Sequence, residues 1–235
     1  MQVQMNPIML QLLVQTKNNK PHHVEADPIR DEKDIEKAKE WFKNQPQRYR
    51  GMKLNIRNYL LFIIGINCGR RISDIRNLRI KDLVNQDGTY KTYWTLKEQK
   101  TGKPIKIYIN DAVKEGLSMF LSDNPDLNAH LFQSRTKSHV TKNGINIDDR
   151  LSIHQINTIY HKMADEIGLT QKGLHISTHS ARKTAVYRMI QSNPNDIRTL
   201  INVQKFCNHS DFNTTLRYAG IQQEEIDDLI KNINI

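Results

Sequence analysis

The chain has 235 residues, enough for one full-sized domain with an extension or for two small domains. Its 35 Lys and Arg against 25 Asp and Glu give a formal net charge of +10, which favours nucleic acid over a membrane surface as a partner. The longest apolar run, residues 59–66, is far shorter than the ~20 residues of a spanning helix. The amino terminus lacks the basic start of a signal peptide, and the two cysteines form no metal-type pair or disulfide framework. We therefore expect a cytoplasmic protein that is neither exported nor embedded in a membrane.

The first part of the chain is predicted to be a polar arm followed by helices. Residues 1–28 are polar and irregular and contain three prolines, so they are expected to form a mobile arm or an interaction peptide. The segment 31–44 has apolar residues at helical spacing and acidic residues early, which predicts a helix. A second helix is predicted over residues 55–67, ending before Gly69, and Ser73 is predicted to cap a third.

The sequence period changes to two between residues 83 and 109, where apolar and polar residues alternate and Asp87-Gly88 and Thr101-Gly102 supply turns. This pattern predicts a small antiparallel sheet of two or three strands. Helical signals return at residue 111 and, apart from a polar loop over 133–150, continue to the end of the chain. The predicted helices are 111–122, 152–167, 178–191, 194–206 and 223–232. The expected fold class is therefore mainly α with a small antiparallel β-sheet (α+β).

Two basic positions in the first half of the chain are candidates for binding an anion. Arg71 lies between two predicted helices, where packed neighbours can hold its guanidinium toward a phosphate, whose oxygens match the two-pronged fork. Lys100 lies at the tip of the predicted hairpin, where a lysine can enter a DNA groove, contact a phosphate or act as a general acid. Taken alone, each of the two is better explained as an ordinary solvated surface residue.

Two stretches in the second half contain histidines. His179 and Arg182 are three residues apart on one predicted helix face and can form an anion site. His175 and His179 have a spacing that would suit a metal, but no carboxylate or cysteine accompanies them and Arg182 would repel a cation, so no metal is expected. His209 lies in a predicted turn, and Tyr218 follows nine residues later. A lone tyrosine of this kind indicates no more than core or surface packing.

The order of these residues is more specific than any one of them. Arg, Lys, His-x-x-Arg, His and Tyr follow one another as in the tyrosine recombinase (phage integrase) family, which the chain resembles over about residues 28–222. The segments that carry the resemblance are Gly69-Arg70-Arg71-Ile72-Ser73-Asp74-Ile75, Lys100-Thr101-Gly102-Lys103, His179-Ser180-Ala181-Arg182, and Asn208-His209-Ser210 with Thr214-Thr215-x-x-Tyr218. Six positions in the right order, each in a fitting context, make this resemblance far more specific than a single motif.

The chain departs from the family's pattern at three positions within these segments. Asn208 stands where the family usually has glycine, and we expect the turn to survive because asparagine tolerates a left-handed backbone. Ala181 replaces a leucine, which predicts looser local packing. Arg70 replaces an apolar residue, so that either arginine of the pair can be confused with the other. The distance to Ile72-Ser73 favours Arg71 as the family's arginine.

The resemblance implies a domain organisation, a chemistry and a partner. We expect a polar arm, 1–28, and a tyrosine recombinase catalytic domain, 29–235, that includes a C-terminal helix and lacks the family's N-terminal DNA-clamping domain. The implied function is site-specific recombination of double-stranded DNA by a homotetramer on paired sites, through a 3′-phosphotyrosine and without cofactor, metal or ATP. The implied catalytic residues are Arg71, Lys100, His179, Arg182, His209 and Tyr218, and the lysines expected to contact DNA are Lys97, Lys103, Lys106 and Lys183.

Two other functions stay open at this point. A type IB topoisomerase shares this chemistry, although the short chain and the His-x-x-Arg box favour a recombinase. A non-catalytic DNA-binding regulator derived from a recombinase is disfavoured by the complete set of six residues. The tail carries an apolar stripe that fits a helix packed either on its own domain or on a neighbouring subunit. The residues of this stripe are Ile226, Leu229, Ile230 and Ile233.

Overall fold

The structure of the chain is a computed structural model whose described residues fall into two compact units. It describes residues 25–45, 48–49, 52–99, 102–121, 125–135, 139–141, 144–146, 148–194, 196–209, 212, 214–215 and 231. The first unit consists of residues 26–185. The second takes in the described residues from Val186 onward, together with Glu25. The boundary between the units falls within one helix.

The first helix, α1, spans Glu32–Asn44, close to the predicted bounds. Asp31 caps its start by accepting a hydrogen bond from the backbone N–H of Lys33 at 2.9 Å, which satisfies one of the unpaired donors of the first turn. The apolar face of the helix buries Ile35 and Phe42. The helical spacing of apolar residues therefore decided both the existence of this element and the face that packs inward.

The second helix, α2, spans Leu54–Cys68 and carries a continuous apolar run, 60–64, that is buried throughout. It ends at Gly69, whose φ of 59° lies in the left-handed region and whose N–H donates to the Gly65 carbonyl oxygen at 3.3 Å. Glycine adopts this conformation without the clash that a Cβ would cause. The predicted helix stop at Gly69 is confirmed.

The third helix, α3, is a single turn, Ile72–Ile75. The prediction that Ser73 caps it was wrong, because Arg71 occupies the N-cap position. The backbone N–H groups of Asp74 and Ile75 both donate to the Arg71 carbonyl oxygen, at 2.9 and 3.1 Å, so the turn starts two residues earlier than the side-chain chemistry of a serine suggested. A 3-10 turn, Ile80–Asp82, follows.

The strands form separate antiparallel hairpins of two strands each. The hairpin predicted within residues 83–109 is present, and there Trp94 pairs with Ile107 across the two strands. The polar segment 133–150, predicted as a loop, contains a further hairpin, so that prediction was wrong. Its strands are three residues long, too short for an alternating pattern to stand out from polar composition. The pairs are β1 (Arg48–Tyr49) with β2 (Met52–Lys53), β3 (Tyr93–Lys97) with β4 (Pro104–Tyr108), and β5 (His139–Thr141) with β6 (Gly144–Asn146).

The remaining helices of the described chain lie close to their predicted positions. They are α4 (Asp111–Phe120), α5 (Ile153–Glu166), α6 (Thr178–Gln191) and α7 (Ile197–Cys207). The predicted helix 223–232, with its apolar stripe, lies outside the described residues except for Lys231. The fold class is confirmed: the chain is mainly α with small antiparallel β elements.

The core of the first unit is built around an aromatic cluster of Phe42, Phe62 and Tyr160, contributed by α1, α2 and α5. The Phe42 and Phe62 ring centroids are 5.1 Å apart, and each lies 6.2 Å from that of Tyr160. Gly116 lets α4 approach α2 closely, because a Cβ there would lie 2.9 Å from a methyl carbon of Leu60. These contacts fix α2, whose C-terminal end leads into the loop that carries Arg71.

The second unit has its own apolar cluster, formed by Val186, Ile190, Leu200, Val203 and Cys207. It joins the last turns of α6 to α7. No helix in the described part of the chain has the length and apolar content needed to cross a bilayer.

Candidate active site

The loop between α2 and α3 buries one arginine and presents the next. The Arg70 side chain has no exposed surface, whereas 19% of the Arg71 side chain is exposed. Arg70 is held by the Cys68 carbonyl oxygen and by Glu98 and fills the kind of buried position that usually holds an apolar side chain, whereas Arg71 keeps exposed surface next to its own contact with Glu98. This difference supports the choice of Arg71 as the anion-binding arginine.

Arg182 reaches the same loop from α6. Its side chain is buried, and its Nη1 donates a hydrogen bond to the Gly69 carbonyl oxygen at 3.2 Å, across 113 positions of sequence. Gly69 lies two residues before Arg71, so the fold brings both predicted arginines to one junction. Two guanidinium groups at one place create a local positive potential suited to a phosphate.

A carboxylate that the sequence reasoning missed lies against this loop. One oxygen of Glu98, Oε1, accepts a hydrogen bond from Arg70 Nη1 at 3.0 Å and another from Arg71 Nη1 at 3.2 Å. The Glu98 side chain is fully buried. The alternation of inward and outward residues along β3 could have identified Glu98. Trp94 and Leu96 point inward, and the same alternation makes position 98 an inward one. A charged residue at an inward position indicates a buried partner.

Glu98 also shapes the hairpin turn through its backbone. Its N–H donates to the Lys103 carbonyl oxygen at 3.0 Å, and its carbonyl oxygen accepts from the Gly102 N–H at 2.8 Å. Gly102 has a φ of 68°, a left-handed conformation that glycine adopts readily. Lys100, the predicted general acid, lies outside the described residues, between Gln99 and Gly102 in the sequence.

His179 lies in the first turn of α6 and is exposed, with its backbone N–H donating to Ser177 Oγ at 3.3 Å. Arg182, one turn later, is buried at the loop. The helix therefore presents an imidazole near the surface and a guanidinium toward Gly69. This arrangement suits a group that exchanges protons and a group that holds charge, respectively.

The contact between α2 and α6 is closer than the sequence suggested. A Cβ at Gly65 would lie 2.8 Å from the Cβ of Ala181, a separation that real side chains do not adopt. The prediction that Ala181 loosens the packing was therefore wrong. A small residue on each helix lets the two backbones approach, and this approach places Arg182 beside the end of α2.

His209, in the second unit, follows the end of α7. Asn208 has a φ of 53°, which confirms that it takes the left-handed conformation expected of a glycine there. The Nδ1 of His209 lies 3.0 Å from Thr215 Oγ1, and Thr215 is fully buried. Tyr218, the predicted nucleophile, lies outside the described residues, three positions after Thr215.

The four lysines predicted to contact DNA differ in exposure. Lys97, Lys103 and Lys106 are exposed on the β3–β4 hairpin, and Lys106 Nζ lies 3.8 Å from the centre of the Tyr93 ring, in a cation–π contact. Lys183, on α6, is buried, with 9% of its surface exposed. The hairpin lysines therefore present their charge to solvent, whereas Lys183 presents little.

Burial shifts the pKa of two groups on α2. Burial raises the pKa of the Cys68 thiol to about 12, although Arg70 acts in the opposite direction, so the thiol is protonated at neutral pH and is not a nucleophile. Burial, and secondarily the charge of Arg135, lowers the pKa of Arg57 to about 10. Arg57 thus stays charged at neutral pH, and it donates to the Gln133 carbonyl oxygen at 2.6 Å.

Solved structures of DNA recombinases share this fold. The chain superposes on XerH bound to difH in a pre-cleavage complex with a TM-score of 0.59 and 18% identity, over 89% of this chain and 56% of that one. It superposes on a lambda integrase dimer bound to a COC′ core site with a TM-score of 0.55 and 15% identity, over 88% and 51%. The chain thus spans about half the length of these proteins. Its fold is that of a tyrosine recombinase catalytic domain.

Sequence comparison identifies the family. Residues 31–225 match the phage integrase family, and the chain belongs to it. The chain is 32% identical over 200 residues to "Probable integrase/recombinase YoeC" of Bacillus subtilis (strain 168). The aligned residues cover 85% of this chain and 92% of that protein. It is 26% identical over 175 residues to the tyrosine recombinase XerC of Caldanaerobacter subterraneus subsp. tengcongensis, over 72% of this chain and 43% of that protein.

Proposed function

We propose that this recombinase cuts and rejoins double-stranded DNA by transesterification, with Tyr218 as the nucleophile and Arg71 and Arg182 as the phosphate clamp. The observation that carries the proposal is the hydrogen bond from Arg182 to Gly69, which places a buried guanidinium at the loop that presents Arg71. Two fixed guanidinium groups at one junction suit a phosphodiester, whose oxygens match the two-pronged fork and whose negative charge they balance.

The arginines act on the charge of the reacting phosphate. Negative charge builds up on the non-bridging oxygens as the phosphorus is attacked, and fixed guanidinium groups stabilise this charge without having to reorganise. We assign His209 to the phosphate from its sequence motif, with its ring oriented by the contact between Nδ1 and Thr215. Charge stabilisation by side chains replaces the metal ion that many other phosphoryl-transfer enzymes use.

The bond changes balance without an external reactant. The Tyr218 hydroxyl, whose ordinary pKa is near ~10, gives its proton to His179 and bonds to phosphorus. The bond to the 5′ oxygen breaks, and Lys100 gives that oxygen a proton. The products are a 3′-phosphotyrosine and a free 5′ hydroxyl. The 5′ hydroxyl of a second strand then reverses these steps and releases Tyr218, so the ester bond energy is kept and ATP is not consumed.

The wider DNA contact uses the basic surface of the chain. Its formal net charge is +10, and we assign the exposed lysines of the β3–β4 hairpin, Lys97, Lys103 and Lys106, to contacts with DNA phosphates. Affinity that depends on phosphate contacts falls steeply with salt. We extend the proposal to a homotetramer on paired DNA sites, because exchange between two duplexes needs four cleavage events.

A covalent-adduct assay tests the proposal. The chain is incubated with a pool of nicked duplexes, the denatured products are separated on a gel, and the DNA in the adduct band is sequenced. We expect an adduct with the unchanged chain and with Tyr108→Phe, a matched change at an exposed tyrosine, and none with Tyr218→Phe. Tyr218→Phe should still bind DNA. An adduct that persists in this variant would remove Tyr218 from its role.

The same preparation separates the two alternative functions. A topoisomerase would relax supercoiled plasmids that share no sequence, and a regulator would bind DNA without forming any adduct. The comparisons with known proteins favour neither alternative. We expect adducts at a restricted set of sequences, because site-specific recombination requires it.

A further inference from the structure

We propose that Arg70 and Glu98 are positioning residues, which hold Arg71 and the described ends of the hairpin turn, on either side of Lys100 in the sequence, in one fixed arrangement. The inference rests on the proposed roles of Arg71 and Lys100. It adds two residues that do not touch the substrate, and it assigns a task to the charged pair buried between the loop and the hairpin.

The first support is the pattern of contacts around one carboxylate oxygen. Glu98 Oε1 accepts from Nη1 of Arg70 at 3.0 Å and from Nη1 of Arg71 at 3.2 Å. Arg70 also donates from Nε to the Cys68 carbonyl oxygen at 3.4 Å, which ties it to the last residue of α2. The guanidinium of Arg71 is therefore held from one side by a carboxylate that is itself anchored to the helix.

The second support is the charge balance. Glu98 and Arg70 have no exposed side-chain surface, and a buried charge without its partner is strongly unfavourable. Glu98 alone would also cancel the charge of Arg71 and repel a phosphate beside it. Arg70 supplies the compensating charge, so Glu98 can orient Arg71 while the three groups together keep one net positive charge. Each member of the buried pair thus needs the other.

The third support is the backbone of Glu98. It closes the hairpin turn through hydrogen bonds with Lys103 and Gly102, and Lys100 lies between these residues in the sequence. The next residue, Gln99, donates its N–H to Asp74 Oδ1 at 3.1 Å, which joins the turn to α3. Glu98 thus connects Arg71 to the backbone that precedes and follows Lys100 in the sequence. Misplacement by about 1 Å is enough to slow a positioned reaction by ~10²-fold.

The test measures single-turnover cleavage of a site recovered in the adduct assay, with two substrates. One has the ordinary 5′ oxygen at the scissile bond, and the other has a sulfur there, which leaves without a general acid. We expect Glu98→Gln to cleave the ordinary substrate ~10-fold or more slowly. The sulfur substrate should recover part of this loss, because it does not need the proton that Lys100 is proposed to give, while the DNA Kd stays within about twofold. The exposed Glu40→Gln is the matched control and should behave like the unchanged chain.

A second variant covers the case in which Glu98→Gln does not fold. Arg70→Met with Glu98→Met replaces the buried pair by apolar side chains, a change that is often neutral or stabilising. We expect this double variant to fold, to bind DNA and to cleave ~10-fold or more slowly, again with partial recovery on the sulfur substrate. Cleavage at the unchanged rate, or a loss that the sulfur substrate leaves intact, would overturn the positioning role. Failure of the proposed function would show separately, as the lack of any adduct with the unchanged chain.

Discussion

The Nη1 of Arg182 lies 3.2 Å from the carbonyl oxygen of Gly69, and this hydrogen bond joins α6 to the end of α2. It uses part of a guanidinium fork to fix the position of the whole group beside the Arg71 loop. A buried arginine held in this way has a direction as well as a charge, and a lysine offers only the charge.

Arg182→Lys is therefore expected to reduce single-turnover cleavage by ~10²-fold or more, the scale on which loss of one preorganised donor slows an enzyme. Binding of DNA should weaken much less, because many phosphate contacts remain. The matched control is Arg198→Lys, whose side chain is 82% exposed. Equal cleavage rates in the two variants would contradict a role for the fork.

The contact between His209 and Thr215 predicts a hydroxyl-specific effect. Thr215→Val keeps the shape of a buried side chain but removes the oxygen that lies 3.0 Å from Nδ1. We expect cleavage to slow by ~10-fold, within the range of a lost orienting hydrogen bond of ~1.5 kcal/mol. Thr215→Ser keeps the oxygen and should stay close to the unchanged rate. The order of the two variants would be reversed if methyl packing, and not the hydroxyl, mattered.

The close approach of Gly65 and Ala181 predicts a cost for enlarging either residue. Ala181→Leu forces atoms into a space where a Cβ at Gly65 would already lie 2.8 Å away. We expect the free energy of unfolding to fall by about 1–3 kcal/mol or more, measured by urea denaturation. Ala112→Leu, on an exposed position of α4, should change it by less than about 0.5 kcal/mol. Equal losses of unfolding free energy in Ala181→Leu and Ala112→Leu would show that α2 and α6 can move apart without cost.

Removal of the Tyr160 hydroxyl is expected not to destabilise the chain. This oxygen is buried and has no hydrogen-bond partner among the described residues, and burial raises the pKa of the phenol, so only the neutral form is present. Tyr160→Phe keeps the ring in its cluster and removes the unsatisfied oxygen. We expect the free energy of unfolding to stay equal or to rise by about 1 kcal/mol, and a clear fall would indicate a partner for the hydroxyl in solution.

The hydrogen bonds of the Asp148 carboxylate are expected to make a pH-dependent contribution to the free energy of unfolding. Hydrogen bonds from Arg150, and then from Arg76, hold the pKa of the Asp148 carboxyl well below its usual range. A depressed pKa in the folded state stabilises the fold above the unfolded value, near ~3.9, and this contribution is lost as the pH falls below it. We expect the free energy of unfolding of Asp148→Asn to be about 1 kcal/mol lower than that of the unchanged chain at pH 7. This difference should shrink as the pH is lowered. A difference that is constant from pH 7 to pH 3 would exclude this origin.

The sequence by itself was sufficient for features that depend on local chemistry. The helical period of α1, the glycine stop at residue 69 and the left-handed Asn208 follow from propensities that act over a few residues. The family followed from six residues in order. The same local reasoning failed at Ser73, where a serine well suited to cap a helix lies inside one, and at residues 133–150, where the strands are too short to show a period.

Only the tertiary structure decided which of two adjacent arginines is accessible, and it did so through a residue far along the chain. Arg70 and Arg71 are chemically identical and differ by a single position, but Glu98 and the end of α2 enclose one and leave the other partly exposed. Likewise, the small side chain of Ala181 by itself indicates loose packing, but Gly65 lies opposite it and the two helices pack closely there. Burial and charge pairing depend on which distant segments meet in space, and the local pattern of a sequence does not contain that information.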